Sequence, residues 1–345
     1  MMKKLLTFGI PCYNSAAYMD HCIQSILDGS QGAEDVEIII VDDGSTKDDT
    51  PAKGDEWARL HPETIRCVHQ ENGGHGTAVL AGLENATGTF YKVVDSDDWV
   101  DADALSRVLD VLRASEAAGE HLDLLVTNYV YEHSVDNTQN VVDYRHVLPE
   151  GRLFGWHEIG HFHMTQNLLM HSLTYRTSVL RDKKVPLPAH TFYVDNIYAW
   201  EPLPRCERLR YEDVDLYRYF IGREDQSVNE RVMAGRIDQQ IRITRSMMGS
   251  YHLYDDIKVV QLRSYMVDYF ILMMVICSVF SRLSDHEDAM DELDRLWSDL
   301  HDYDRRMWRR CRLGLLGLFA NLPGPVGKRV TISLYRLVDK VMKFN

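Results

Sequence analysis

An apolar run that ends in three acids, Val93-Val94-Asp95-Ser96-Asp97-Asp98, constrains the fold of this 345-residue chain more than any other segment. A buried strand must stop where charged groups begin, and carboxylates at a strand end lie where α/β sheets keep their ligands. Asp95 and Asp97, with Ser96 between them, offer the oxygens that hard divalent cations such as Mg²⁺ and Mn²⁺ take together with substrate phosphates. The competing reading is an acidic loop that caps a helix, because Asp101 and Asp103 follow and Ala104 to Leu112 is patterned as a helix.

The preceding residues repeat the design. Leu5 to Ile10 is a short apolar run closed by Pro11, and Cys12-Tyr13-Asn14-Ser15 leads into a helical pattern at Tyr18, Cys22, Ile23, Ile26 and Leu27. Val36 to Val41 is a β-branched strand of the doubly buried kind, ending at Asp42-Asp43-Gly44-Ser45-Thr46, a second acidic strand end. Arg66 to His69 makes a weaker strand before Glu71-Asn72-Gly73-Gly74-His75-Gly76, whose glycines permit close backbone approach to a ligand. Thr77 to Asn85 is expected as a helix and Phe90 to Val94 as a fourth strand. Alternating strands and helices predict an α/β, mostly parallel sheet whose loops converge on a crevice at one end.

Pro11-Cys12-Tyr13-Asn14, Ile39-Ile40-Val41-Asp42-Asp43-Gly44-Ser45-Thr46, Glu71-Asn72-Gly73-Gly74 and Asp95-Ser96-Asp97-Asp98 together resemble the family 2 glycosyltransferases in order and spacing, strongly over about residues 4–110 and more loosely to about 230. The resemblance implies a GT-A fold, Rossmann-like and flanked by helices, a nucleotide-diphosphate-sugar donor with a UDP-sugar favoured, Mg²⁺ or Mn²⁺, and transfer with inversion. It implies that Pro11, Tyr13 and Asn14 lie by the base, that Asp42 or Asp43 receives a base or ribose hydrogen bond, and that Asn72, Gly73 and Gly74 lie along the donor. Asp95 would touch ribose or sugar and join Asp97 at the metal, Asp97 being the second Asp of the family's DxD motif. After Gly74 the chain departs from the family, with His75-Gly76-Thr77-Ala78-Val79-Leu80 where many members carry a small pair followed by Arg-Asn.

An inverting transfer needs a base for the acceptor hydroxyl. Thr191-Phe192-Tyr193-Val194-Asp195-Asn196 resembles the family's later acidic motif, which makes Asp195 the expected base, although Val194 stands where Glu is common. The alternative is that Asp195 caps the helix beginning at Asn196. His171 to Arg176 is similar to the family's acceptor-side segment, with His171 and Tyr175 as acceptor residues. Arg223 and Gln226 follow the closing strand that begins near Tyr217, and a guanidinium fork there suits phosphate, or else local pairing with Asp225. His157-Glu158-Ile159-Gly160-His161 satisfies the HExxH zinc pattern, but Gly155 and Gly160 work against the helix that pattern needs, so a zinc protease is not expected. Acceptor contact by His157, His161 or His163 stays open.

The expected organisation is a catalytic part over 1–230, with its nucleotide-sugar half at about 1–110 and its acceptor half at about 111–230, a helical region over 231–304, and a basic amphipathic segment over 305–345. Glu132 to Asn140 reads as an exposed loop. Met233 to Tyr254 and Val259 to Leu283 read as long helices, and the uncharged Tyr269 to Phe280 is too short to span a bilayer, so a buried helix is expected. Shaping the acceptor site, packing on the catalytic part and forming a homodimer are all open to these helices. The opening residues make a poor signal peptide, and six cysteines without zinc or redox spacing read as reduced thiols of a cytoplasmic protein.

The chain carries a net charge of −14, yet 305–345 hold ten Lys or Arg and one acid. Arg305-Arg306, Trp308, Arg309-Arg310, Arg312 and the apolar Leu313 to Ala320 suit peripheral contact with an anionic membrane, here the inner face of the cell membrane, or pairing with the acidic body. Nucleic acid is not an expected partner, because that body repels phosphates. The reading is a glycosyltransferase acting on a glycan or lipid-linked acceptor in surface or extracellular polysaccharide synthesis. A sugar-phosphate nucleotidyltransferase lacks its Gly-rich, basic triphosphate loop near Pro11, and a silent glycan-binding protein would not need the full set of acids.

Overall fold

The computed structural model describes residues 4–133, 138–163, 166–221 and 229–342, with side chains as far as 336. It divides into two compact units, one of residues 1–161 with 168–221, the other of residues 162–167 with 222–345.

The first unit alternates strand and helix: β1 Leu6–Cys12, α1 Met19–Ser30, β2 Val36–Asp42, α2 Thr50–Leu60, β3 Ile65–His69, α3 His75–Asn85, β4 Phe90–Val93, β5 Trp99–Val100 and α4 Ala102–Ala117. It continues with β6 Leu124–His133, β7 Thr138–Val142, β8 Leu153–Phe154, β9 Leu173–Arg176, α5 Thr177–Asp182, α6 Asp195–Trp200 and β10 Leu209–Ile221. One sheet runs in the order β3-β2-β1-β4-β9-β6-β10-β5, with β7 on β6 and β8 on β10. Pairs β1–β2, β2–β3, β1–β4 and β6–β10 are parallel, whereas β9 runs antiparallel between β4 and β6. Every residue of β1 and β2 is buried, as their largely apolar runs require, and the polar breaks pair with each other, Thr7 Oγ1 donating to Glu37 Oε2 at 2.6 Å. The chain steps outward from β1 to β3 and then returns to β4 on the other side of β1, so the strand order reverses between β1 and β4. A crevice opens at the carboxyl ends of strands at such a reversal.

Two close approaches fix the layers. On one face Ile23 and Ile26 of α1 and Leu105, Leu109 and Leu112 of α4 cover Phe8, Ile10, Ile38 and Ile40. Gly9 of β1 is forced by the fully buried Tyr91 of β4: a Cβ there would lie 2.0 Å from the Tyr91 hydroxyl, and one on Gly82 of α3 would lie 2.5 Å from it. That hydroxyl donates to the Val79 carbonyl of α3 at 3.1 Å. Pro11 sits inside β1 rather than beyond it. The Gly9 carbonyl accepts from the Val94 N–H at 3.0 Å, and Pro11, two residues on, faces the same side where β4 has ended, so its missing N–H forfeits no ladder bond.

Of the expected loop Glu132 to Asn140, the described residues, 132–133 and 138–140, are strand. Glu132 pairs with Gln139 and His133 with Thr138 in an antiparallel hairpin, its polar composition reflecting an edge that faces water. The His157-Glu158-Ile159-Gly160-His161 segment forms one 3₁₀ turn over Trp156–Glu158 and then extends at Ile159, so its two histidines do not share a helix face. Glu158 is engaged by Arg152 and the Gly155 N–H.

The second unit is helical: α7 Glu230–Gly235, α8 Ile237–Ser250, α9 Leu253–Asp256, α10 Val260–Leu283, α11 Ala289–Tyr303, α12 Arg305–Leu313, α13 Leu315–Ala320 and α14 Gly324–Met342. The expected helix Met233 to Tyr254 breaks at Arg236 and again at Tyr251, each break close behind a glycine, Gly235 or Gly249. α10 is, by length and composition, long and apolar enough to cross a membrane, which its uncharged stretch alone did not suggest; 67% of that window is buried, as in a core helix.

Candidate active site

The crevice is walled by loops that hold one another. At the end of β1, Asn14 adopts a left-handed backbone with φ 50°. Its side-chain oxygen accepts from the Thr46 and Lys47 N–H groups at 3.1 and 3.0 Å, and its own N–H donates to Ser45 Oγ at 2.9 Å. Asp42 accepts from the Ser45 N–H at 3.0 Å and meets His69 Nδ1 at 2.9 Å. Asp43 is buried, and its carboxylate takes four donors: Gln70 Nε2 at 2.7 Å, Asn72 Nδ2 at 3.1 Å, and the Gly73 and Gly74 N–H groups at 2.9 and 2.8 Å. A carboxylate offers about four lone-pair positions, so Asp43 shapes the glycine loop from within. Gly74 has φ 88° and approaches the backbone of His190, whose N–H donates to the Gly73 carbonyl at 2.6 Å. Tyr13 is exposed at the mouth, and Pro11 is buried in the strand behind it.

The acids at the end of β4 have divided roles. Asp95 Oδ1 meets His75 Nε2, at the start of α3, at 2.7 Å, and its Oδ2 lies 4.0 Å from His171 Nε2. Burial works against the Asp95 charge, but His75, His171 and the Tyr217 hydroxyl overcome it and hold the carboxyl below its usual range. Burial likewise pulls His75 down, and Asp95 with Asp195 and Asp97 outweighs it, leaving the ring above its ordinary value. Asp98 turns inward: it accepts from the Tyr217 hydroxyl at 2.5 Å and the Phe220 N–H at 2.9 Å. Burial, then Asp97 and Asp95, push Asp98 well above the carboxylate range. Asp97 stays half-buried on the turn. Helix capping falls to Asp101, which accepts from the Ala104 N–H at 3.0 Å.

Carboxylate oxygens suit a hard cation. Asp95, with Asp98 and His171, offers ligand atoms all within 4.8 Å of one another. Both Asp98 oxygens accept protein donors, so Asp95, with Asp97 on the same turn, is the better placed to hold a divalent cation.

Below them lies an aromatic floor. His171 stacks on Tyr219 with centroids 4.7 Å apart and meets Tyr217 edge-on at 4.6 Å, while Tyr131 lies 5.5 Å from Tyr219. Burial lowers the His171 ring to about 4, and its Nδ1 has no partner among the described residues. Lys92, fully buried, donates to the His171 carbonyl at 2.7 Å, and burial brings its amine to about 7.

Asp195 is the first residue of α6; Val194 holds the cap position and no side chain caps there, so the capping alternative falls. Tyr193 and His190, just ahead, have φ 65° and 48°. Such strain gathers where function over-determines the backbone. Burial, then Asp95, raises the Asp195 carboxyl against the opposing pull of His75. Tyr175, expected at the acceptor, is 0% exposed and its hydroxyl reaches the Ala199 carbonyl at 3.3 Å, so it supports α6 instead. Its strand, β9, is paired on both edges, with β4 and β6, which encloses Tyr175 in the core. Arg223 and Gln226 lie outside the described residues.

Residues 7–178 match the profile of Glycosyl transferase family 2. The chain belongs to the family 2 glycosyltransferases. Putative glycosyltransferase EpsH of Bacillus subtilis (strain 168) is 35% identical over 123 residues, which are 36% of this chain and 33% of EpsH. The chain thus spans about a third of that relative's length. S. aureus TarS 1-349 in complex with UDP-GlcNAc superimposes with a TM-score of 0.66 at 16% identity, covering 97% of this chain and 92% of that one. Mannosyltransferase PcManGT of Pyrobaculum calidifontis, in complex with GDP-Man and Mn²⁺, superimposes with a TM-score of 0.54 at 14% identity over 99% and 89%. At these identities the likeness is one of fold, and the fold is GT-A.

Against the family 2 motifs, the sequence reading missed Tyr217, Tyr219 and Tyr131 and treated His75 only as a departure. Tyr129, Tyr131 and His133 on β6, and Tyr217 and Tyr219 on β10, alternate along their strands, and that period places each set on one face. What it could not carry was that two parallel neighbours bring the sets together.

Proposed function

We propose that the chain is a metal-dependent, inverting glycosyltransferase that moves a sugar from a nucleotide-diphosphate sugar, with a UDP-sugar favoured, to a glycan or lipid-linked acceptor in surface or extracellular polysaccharide synthesis. The observation that carries this reading is the family 2 profile over residues 7–178 together with the acids at the carboxyl ends of β2 and β4, where the strand order reverses. In this reading residues 1–230 are catalytic, and 231–304 and 305–345 are accessory.

The donor's base would rest by Tyr13 and Asn14, its ribose by Asp42 and Asp95, and its diphosphate along Asn72, Gly73 and Gly74, where a backbone without Cβ leaves room. Asp43 holds that loop in shape. Mg²⁺ or Mn²⁺ on Asp97 and Asp95 would supply positive charge against the departing diphosphate. His171 and the tyrosine floor would line the acceptor side. Asp195 takes the proton of the acceptor hydroxyl as its oxygen bonds to the anomeric carbon. The bond from that carbon to the phosphate oxygen breaks, its electron pair leaves with the nucleoside diphosphate, and the configuration inverts. The UDP-GlcNAc and GDP-Man complexes of the two structural neighbours support nucleotide sugars as donors for this fold.

Asp195→Asn tests the assignment. It should keep donor binding and lower transfer by about 10²- to 10⁴-fold, the range general-base catalysis supplies. Normal turnover in that variant would remove Asp195 from the chemistry.

We also propose that α12 to α14 rest on an anionic membrane surface. Arg309 and Arg310 are exposed beside exposed Leu313, Leu315, Leu318 and Phe319, a basic and apolar mixture suited to an interface.

A further inference from the structure

On the far side of Asp42 from the crevice, the edge of the sheet brings together three side chains of metal-ligating type. Cys67 and His69 alternate on β3 and so share a face, which α2 covers with Asp55. His69 Nε2 lies 3.1 Å from Asp55 Oδ1 and 3.7 Å from Cys67 Sγ, and the three ligand atoms fall within 4.8 Å of one another. A tetrahedral ion with bonds of about 2.0 Å to N and O and about 2.3 Å to S sets its ligands roughly 3.3 to 3.6 Å apart, so both His69 pairs already lie within a few tenths of an ångström of that spacing, and side-chain rotation of the exposed Asp55 would bring its carboxylate to Cys67. Gly54 makes this possible: a Cβ there would lie 2.6 Å from the Cys67 sulfur, so the thiol tucks against the helix backbone.

The outer shell is in place as well. Histidines that ligate metals nearly always give their other ring N–H to a carboxylate, a backbone carbonyl or water. His69 Nδ1 faces Asp42 Oδ2 at 2.9 Å, and the parallel register of β2 and β3 sets those two residues side by side. Asp55 and His69 are exposed, which gives an ion a way in and leaves a fourth position to water.

We propose that Asp55, Cys67 and His69 form a binding site for a borderline-soft divalent cation of the zinc type, separate from the hard-cation site at Asp95 and Asp97. Binding forms the metal–sulfur bond as the Cys67 thiol gives its proton to the buffer, and the metal takes the Nε2 position of a ring whose Nδ1–H stays on Asp42. Because Asp42 also holds the Ser45 N–H, occupancy braces the loop at the end of β2. Without metal, burial and the nearby Asp55 and Asp42 keep Cys67 a thiol, its pKa raised to about 12.

The test uses the full chain, reduced and stripped with chelator, titrated with Co²⁺ as a spectroscopic stand-in for zinc. A thiolate-to-cobalt charge-transfer band should grow to saturation at one equivalent and be displaced by Zn²⁺. It should persist in Asp97→Ala and vanish in Cys67→Ser. Asp55→Asn, on an exposed position that does not threaten folding, should weaken cobalt binding by more than about tenfold. Absence of the band in the wild type, its survival in Cys67→Ser, or unchanged affinity in Asp55→Asn would overturn the site.

Discussion

Asp195 can take a proton only when it has none, and burial together with Asp95 makes it hold one to a higher pH than an ordinary aspartate. The sign follows: as pH falls, the base is lost while typical surface carboxylates are still charged. The acid limb of the rate profile, followed as nucleoside diphosphate release, should therefore lie above the usual range of about 3.9, and rates should rise with pH through it. His75 opposes the shift, so His75→Gln should move the limb further upward; a limb at or below the ordinary aspartate value in the wild type would separate Asp195 from the rate. Much of this site is invisible in sequence because its contacts are remote. Asp98 and Tyr217 are 119 residues apart along the chain and 2.5 Å apart in space. Asp43 illustrates the same limit differently: its motif marks a donor-site acid, but only the folded loop reveals that its oxygens are already taken by Gln70, Asn72, Gly73 and Gly74.

At the scale of elements, legibility follows burial. Val36 to Val41 could be read as a strand because both of its faces are covered, and the fold adds only Asp42 to it. Polar edges and broken helices were harder: the β6–β7 hairpin hid in a water-facing sequence, and a single glycine costs about 1 kcal/mol of helix, too little to forecast the break at Arg236 from pattern alone. The zinc-type cluster escaped cysteine spacing because its carboxylate comes from α2, one element before the strand that bears Cys67 and His69. Gly9 is the sharpest element-level constraint. Its Cβ would meet the Tyr91 hydroxyl in a fully buried layer, so Gly9→Ala should destabilise the first unit by about 1–3 kcal/mol in urea unfolding. Tyr91→Phe removes the nearest clashing atom, and the double variant should cost less than the sum of the single ones. Full additivity would mean that Gly9 does not owe its identity to Tyr91.

At the scale of the whole molecule, the chain has a sheet-based unit that carries the crevice and a helical unit whose last forty residues are strongly basic. That Phe162–Asn167 groups with the helical unit, despite lying among residues of the first, was not legible, because hydrophobic periodicity is local and unit membership is not. Exchanging Arg309 and Arg310 for Gln should weaken binding to anionic vesicles by about 2 kcal/mol, roughly thirtyfold, since each basic residue near such a surface contributes about 1 kcal/mol. Unchanged vesicle binding would assign the tail's charge to another purpose. The donor site itself is tested most directly by calorimetry of the full chain against UDP-, GDP-, dTDP- and CMP-linked sugars, with Mn²⁺ and with chelator. Binding of one diphosphate donor that disappears with chelator and in Asp97→Ala is the result expected, and failure to bind any of them, or binding indifferent to both changes, would contradict a metal-dependent glycosyltransferase.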